Sequence, residues 1–512
     1  MNENQEQAEA SNFNPVTMAV LFLQKYVKDG MPRLMHWQGE YRKWSKGAWR
    51  PAEEAGLKAS IQHFLISSGK SSRKHVEDVL YAVRNLTHLA ADTAPGSTIG
   101  YDTKKCAFTV TEPCPTDPDQ ISLTDGVLEW SGSGQGLVRA ASPALFVLNA
   151  LPISYFSLPG QGGQGKCLIV GTHEKTVQEE AIKRGDDFSA LTLTTPQWDA
   201  WLADRFPDDQ QSIDLLQEIF GYVLSGRTDL QKAFFLYGPS RSGKGTIARI
   251  LTSLVGPDGC TSPAVSDLSK DFGLESMISK SLSITGDATF SGRDVDVLVG
   301  RLKQISGEDT ISVQRKFKTA WEGKLNVRFM FLTNELPALP DASGAVSSRF
   351  EIVRFRKHWQ GHENPTVEAA LMQELAGILL WGLAGYDRLV ANNGQFTQPE
   401  AARSSKEVLG DTSAPQKTFI TEYCDVDSEY TVSKDEFREV YNAYRRSQGA
   451  KEADQSRLGR ALHVLGYEGA RLRDPGSSTG RTQVYMGLRL KHGVEVTYDG
   501  KFQINSNAAE AA

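Results

Sequence analysis

Cysteine is scarce in this 512-residue chain, and its five copies, Cys106, Cys114, Cys167, Cys260 and Cys424, are scattered without a C-x-x-C pair. Such an odd, dispersed set supports neither a disulfide framework nor a zinc site, and it suits a reducing cytoplasm. Long apolar runs are missing too. The longest, around Leu375 to Leu383, contains Gly377 and Gly382 and is far too short to span a bilayer; it is expected as a core helix, with no membrane role. The start, Met1 to Asn14, is polar and acidic, unlike a signal peptide. Nor is there an excess of positive charge: 56 Lys and Arg stand against 62 Asp and Glu, a formal net charge of −6. Any binding of nucleic acid must then use local basic patches rather than a global field. That counts against a protein that simply coats DNA, but not against one whose contacts are few and concentrated.

What is present is an ordinary globular composition, 40% hydrophobic and 23% charged, in a chain long enough for about three domains. Both ends, the Asn/Gln/Glu-rich start and the tail after Ile504, are expected to be disordered. Residues 1–120 mix helical periodicity (Thr17 to Lys28, Leu57 to Ser67, Lys74 to His88) with an aromatic stretch from Trp37 to Trp44. Tryptophans alternating with basic residues can stack bases, but more often they fill a small β core. Residues 121–205 form a β-prone, turn-rich connecting region. Residues 206–395 carry the chemistry, 396–502 form a C-terminal domain, and 503–512 are the tail. The C-terminal domain shows helical stretches at Lys434 to Ser447 and Gln455 to Leu465. A hairpin pattern comes next, with arms Ala470 to Arg473 and Thr482 to Leu490 and a turn at Pro475 to Gly480. Helices followed by a β-ribbon suggest a winged helix, with Arg471, Arg473, Arg481 and Arg489 on the wing, either facing phosphates or forming a solvated face. No fixed-period repeat is present.

The pattern G-x-x-x-x-G-K occurs twice. A working phosphate loop leaves a buried strand and enters a helix whose first amides face the phosphates. The copy from Gly160 to Lys166 comes after Pro159 and leads into the strand-like Leu168-Ile169-Val170, so it reads as a flexible loop. The copy Gly238-Pro239-Ser240-Arg241-Ser242-Gly243-Lys244-Gly245-Thr246 comes after the apolar run Ala233 to Tyr237 and precedes a helical pattern from Ile247 to Leu254. There the glycines let several backbone N–H groups converge on a β-phosphate, and Lys244 supplies a cation to the β- and γ-phosphates. ATP with Mg²⁺ is the expected ligand. Gly245 stands where a Ser or Thr hydroxyl usually meets the metal, and Thr246 comes one position later.

Such a loop needs a carboxylate at the end of a neighbouring strand to hold hydrated Mg²⁺. The β-prone Leu282 to Thr285 leads to Asp287, 43 residues beyond Lys244, room for a strand and a crossover helix. An aspartate after a strand is also a common turn residue. A second strand, Val327 to Leu332, ends at Thr333-Asn334-Glu335-Leu336-Pro337, where Asn334 is suited to sense the γ-phosphate and the attacking water. Arg349, at the end of the segment from Asp341, is suited to reach an adjacent subunit's ATP; otherwise it is a surface ion-pair residue. Between acid and sensor, Gly307 to Lys324 reads as two β arms with a turn near Glu322-Gly323 and a basic tip carrying one aromatic. That composition suits a hairpin gripping a DNA backbone, or an ordinary exposed hairpin.

In this order, the P-loop, Gly286-Asp287-Ala288, Ile305-Ser306-Gly307-Glu308-Asp309, Thr333 to Pro337 and Asp341 to Phe350 resemble the superfamily 3 helicases. The likeness is to the branch found in phage, plasmid and mobile-element primase-helicases and in the poxvirus primase-helicase. It is specific over residues 206–395. It is weaker over 1–120, which looks like the helicase-associated domain of these proteins, and only architectural at the C-terminus. The resemblance implies an α/β, AAA+-like P-loop ATPase core with a mixed α/β N-terminal region and a winged-helix-like C-terminal domain. It implies a hexameric ring of identical subunits moving, 3′→5′, on single-stranded and forked DNA. It also implies a role in replicating a phage or mobile element, with a primase or polymerase of the same system as partner. Lys244, Asp287, Asn334 and Arg349 would be catalytic, Asp287 and Thr246 the metal ligands, and Lys316, Lys318 and Lys324 the DNA-gripping residues. A fused primase is not expected here, since the first helices begin near Thr17. The general base is unassigned, with Glu308 a weak candidate.

Two other classes compete. A DNA-binding initiator would use ATP for assembly without processive unwinding, and strand displacement on a forked substrate separates it from a helicase. A small-molecule kinase is suggested by Gly243-Lys244-Gly245-Thr246, but no sequence for an acceptor site or lid is visible, and its turnover would ignore DNA.

Overall fold

The structure, a computed structural model, describes residues 13–504 except 29, 68, 96, 103–106, 113–119, 124, 133–134, 159–165, 172–194, 289, 291–294, 338, 340–346, 360–365, 449–451, 474–480 and 499. Residues 1–12 and 505–512, which make up most of the two ends expected to be disordered, lie outside that set, as does the loop 159–165. The chain is mixed α/β and divides into two units. The first comprises residues 1–288, 304–334 and 351–401; the second comprises 289–303, 335–350 and 402–512.

A five-stranded sheet organises the first unit. Its order is Cys260–Thr261, Leu282–Thr285, Arg328–Thr333, Ala233–Tyr237, Phe350–Arg354. The first four strands are parallel: Leu282 pairs Arg328, Phe234 pairs Met330, and Cys260 pairs Leu282. Ala233 to Leu236 and Leu282 to Thr285 are buried at every position, the continuous burial that a parallel sheet covered on both faces requires. One cover is a helix pair, Gln210–Ser225 and Leu375–Ala391. Glu218 is fully buried between them, where Arg388 Nε donates to it at 2.9 Å and the Thr397 amide and hydroxyl at 2.7 Å. A buried carboxylate persists only when paired in this way. The apolar run at Leu375 is thus the start of a core helix, and among the described residues no single helix is long and apolar enough to cross a membrane.

The helices expected in the N-terminal region lie at Pro15–Gln24, Glu54–Ile66 and Arg73–Leu86. The first is shorter at its C-terminal end than its periodicity suggests, and it is capped by Asn14 Oδ1, which accepts from the Val16 and Thr17 amides. Trp37, Trp44 and Trp49 are buried in a small antiparallel sheet, Leu34–Trp37, Glu40–Ser45, Ala48–Pro51. The aromatic stretch is core and not a base-stacking surface. This sheet is bonded to the neighbourhood of the central one, where Arg42 Nη2 donates to Ser279 Oγ at 2.8 Å. In the connecting region Asn149 Nδ2 does the same to Ser281 Oγ at 2.9 Å.

The second unit contains the helices Pro415–Tyr423, Lys434–Ser447 and Gln455–Val464 and an antiparallel sheet ordered Cys424–Ser433, Arg481–Leu490, Gly469–Arg473. Phe419, Phe437, Tyr441, Leu458, Leu462, Tyr485 and Leu488 form its core. Helix, strand, two helices and a terminal β-ribbon is the order expected of a winged helix.

Candidate nucleotide-binding site

The strand Ala233–Tyr237 ends at Gly238, and the helix Lys244–Val255 begins at Lys244, so the loop between them is the strand-to-helix turn the motif requires. Two glycines make it possible. Gly238 has φ +152°, and a Cβ there would lie 2.3 Å from the Phe355 carbonyl oxygen; Gly243 has φ +106°, and a Cβ there would lie 2.9 Å from the Trp201 ring. Gly238→Ala is therefore expected to lower stability by roughly 1–3 kcal/mol, read as a shifted denaturant midpoint. Gly245→Ala is expected to leave the midpoint near the parent value, because its Cβ would meet only the end of the flexible Arg249 side chain, at 3.1 Å.

The other copy of the motif differs. Lys166 opens the strand Lys166–Gly171, which pairs antiparallel with Ile153–Leu158, Leu158 opposite Lys166. A lysine that begins a strand has no helix amides behind it, so this copy lacks the setting of a phosphate loop.

Lys244 is buried in the first loop. Its ammonium donates to the carbonyls of Gly238 and Pro239, each at 2.7 Å, and to Asn334 Oδ1 at 3.0 Å. Burial holds Lys244 below the usual lysine range, while the Asp287 carboxylate pulls the other way. These three residues meet for a topological reason. The strand Arg328–Thr333 lies between the P-loop strand and the acid strand, and the three run parallel, so Asn334 emerges between the loop and Asp287. Ligands of open parallel sheets gather at this carboxyl edge. Asp287 has φ +45°, and its turn is tied to the strand Arg328–Thr333 by the Ala288 amide, which donates to the Leu332 carbonyl at 2.8 Å. Thr246 is half-buried in the first turn of the helix, while Ser240 and Arg241 are exposed. The N-terminal amides, the buried ammonium and a carboxylate at the next strand end form a donor set that fits a magnesium nucleotide.

Glu308 is elsewhere. It accepts from the Thr228 hydroxyl, and Thr228 precedes the strand whose far end carries the loop. Glu308 therefore sits at the amino edge of the sheet and is no candidate for the general base. Arg349 closes a short 3₁₀ turn, Ser347–Arg349, in the second unit, where its Nη1 donates to the Lys303 carbonyl at 2.8 Å. Asp341 and residues 342–346 lie outside the described residues.

The hairpin forms, with a correction. Its strands are Ile311–Arg315 and Lys318–Gly323, with Arg315 opposite Lys318, so the turn is Lys316-Phe317 rather than Glu322-Gly323. A two-residue turn needs a left-handed position, and Phe317, at φ +57°, supplies it. The tip is therefore Lys316 and a fully exposed Phe317. Lys324 lies at the opposite end, beyond the second strand, about 20 Å from the tip at 3.3 Å per residue. Lys318 pairs with Glu40 at 3.1 Å, and Glu40 also accepts from Arg315 at 3.1 Å. Trp321 Nε1 donates to Gln38 Oε1. The shaft is thus clamped to the turn of the N-terminal sheet by residues some 280 positions away, which no local pattern reveals. Nor did the sequence signal the stack behind the P-loop, where the Arg205 guanidinium lies 4.0 Å over the Trp359 ring and 5.3 Å from Trp201.

Residues 236–349 match a family described as "Family of unknown function (DUF5906)", an interval running from the P-loop strand to Arg349. Among solved structures the chain is similar to the apo C-terminal region of NrS-1 (305–718), at 13% identity and a TM-score of 0.45, covering 92% of this chain and 99% of that one. It is also similar to an A-form apo structure of the NrS-1 C-terminal region, at 10% identity and a TM-score of 0.43, covering 93% and 100%.

Proposed function

We propose that the chain is an ATP-dependent DNA helicase with an AAA+-like P-loop core, acting as a ring of identical subunits, a hexamer by family likeness. The observation that carries this reading is the meeting of Lys244, Asn334 and the field of Asp287 at the carboxyl edge of three adjacent parallel strands. In it, the amides from Gly238 to Thr246 and the Lys244 ammonium hold the β- and γ-phosphates, and Asp287 with Thr246 holds Mg²⁺. The metal, when bound, neutralises charge on the β- and γ-oxygens. Asn334 orients the γ-phosphate and the attacking water, and Arg349 serves the neighbouring subunit's site. Lys316 and Phe317 at the hairpin tip grip single-stranded DNA, the ammonium on phosphate and the ring on a base.

The test is strand displacement on a forked substrate. The wild-type chain is expected to unwind it with ATP. Lys316→Ala combined with Phe317→Ala is expected to lose most unwinding and to flatten the salt dependence of single-strand binding by about one unit of slope. Lys324→Ala is expected to unwind normally. Hydrolysis stimulated by DNA with no strand displacement by the wild-type chain would favour the initiator reading instead.

A further inference from the structure

We infer that the C-terminal unit is a second, independent DNA site that takes duplex rather than single-stranded DNA, with the helix Gln455–Val464 in the major groove. The helix buries Leu458 and Leu462 in the core of the unit. Ser456, Arg460 and His463, at spacings of four and three, form one stripe on the opposite side, and all three are exposed. A short helix, held at one edge by its own core and presenting an exposed Ser/Arg/His stripe, has the width and donors that a major groove admits: Arg and His donate to guanine O6 and N7, and Ser bonds to any base.

The β-ribbon behind the helix supports the same docking. Arg471 and Arg473 alternate with Ala470 and Leu472, and Arg473 lies directly opposite Arg481. In register these arginines share a face with Tyr485, which packs into the helical core beside Phe437, so they extend on the side of the sheet where the helices lie. Charge is also divided within the unit. Residues 451–491, the helix and ribbon, have eight Lys and Arg against four Asp and Glu, whereas residues 421–447 have four against seven. The basic stretch is continuous in the chain and suits a polyanion, with Arg489 at its end paired to Asp425 at 2.8 Å.

The inference does not rest on the motor reading, since a chain that hydrolysed nothing would still bind duplex through this surface. It is tested on the full chain without nucleotide, by fluorescence anisotropy with a blunt duplex of about two helical turns and, separately, with one of its strands. Arg460→Ala with His463→Ala is expected to weaken duplex binding about tenfold. Arg471→Ala, Arg473→Ala and Arg481→Ala together are expected to lower the salt slope on duplex by about three. Single-strand affinity is expected to stay in place in both variants, and methyl green, which fills the major groove, to displace the protein where netropsin does not. All the substituted side chains are exposed, so the variants keep the core, and an unchanged melting temperature checks this. Unchanged duplex affinity in both variants overturns the inference. So does an equal loss on the single strand, which would assign the surface to unpaired DNA, and so does displacement by netropsin alone.

Discussion

Lys244→Ala is expected to abolish ATP hydrolysis while leaving the fold standing. The ammonium makes all its described hydrogen bonds within the loop and to Asn334, and the backbone turn is set by Gly238 and Gly243, which the substitution leaves intact. What is lost is the only lysine among the residues of the loop, the one proposed to neutralise charge on the β- and γ-phosphates. The buried Gly238 carbonyl and the half-buried Pro239 carbonyl lose a donor, so a stability cost of about 1–3 kcal/mol accompanies the change. Circular dichroism and thermal melting read that cost, and phosphate release reads the activity. Lys166→Ala is the control and is expected to hydrolyse at the parent rate, because Lys166 opens a strand in an antiparallel pair. The opposite result, activity lost with Lys166 and kept without Lys244, would transfer the site to the other loop.

Arg349→Ala is expected to bind ATP nearly as well as the parent and to hydrolyse it poorly, since a finger acts on charge that develops only in the transition state. Fingers of this kind are worth roughly 10³–10⁵ in turnover where they are known. With Arg349 proposed to serve a neighbouring subunit's nucleotide, the defect should complement. In a ring mixing Arg349→Ala and Lys244→Ala subunits, some interfaces join an intact loop to an intact finger, and those sites regain hydrolysis. Titrating one variant into the other while following phosphate release should then show two inactive proteins making a partly active one. Activity that stays at the sum of the separate variants, with mixed rings verified by mass, would mean that Arg349 acts within its own subunit or not at all.

Lys244 and Arg349 differ in how much of their setting is local. The backbone course of the loop at Lys244 is written in short-range pattern, although the residues that crowd Gly238 and Gly243, Phe355 and Trp201, are distant in sequence. An apolar run long enough for a buried strand, glycines where the chain must turn with positive φ, and a helical period immediately afterwards are properties of some twenty consecutive residues. The same is true of the helices at Arg73–Leu86 and Lys434–Ser447 and of the order of elements in the C-terminal unit. The second copy of the motif was separable from the first for the same reason, because Cys167 to Val170 have strand character and no helical period.

Other assignments depended on which elements become neighbours. Asn334 and Asp287 meet Lys244 because the strand Arg328–Thr333 inserts between the other two, and a linear order of strands does not state their order in a sheet. Glu308 was a weak candidate for the general base, but its backbone leads to the amino edge, one strand length from the loop. The hairpin's composition was legible while its turn was not, because Glu322-Gly323 carries the glycine that a turn favours, whereas the observed turn puts the bulky Phe317 at φ +57°. The pairing of Arg315 with Lys318 is decided by docking against Gln38 and Glu40. Local sequence determined the elements and the P-loop, because backbone sterics and hydrophobic period act over a few residues. Only the tertiary structure decided which strand ends converge, which lysines lie at a tip and which are held in ion pairs, because those outcomes depend on burial and charge contributed by residues hundreds of positions away.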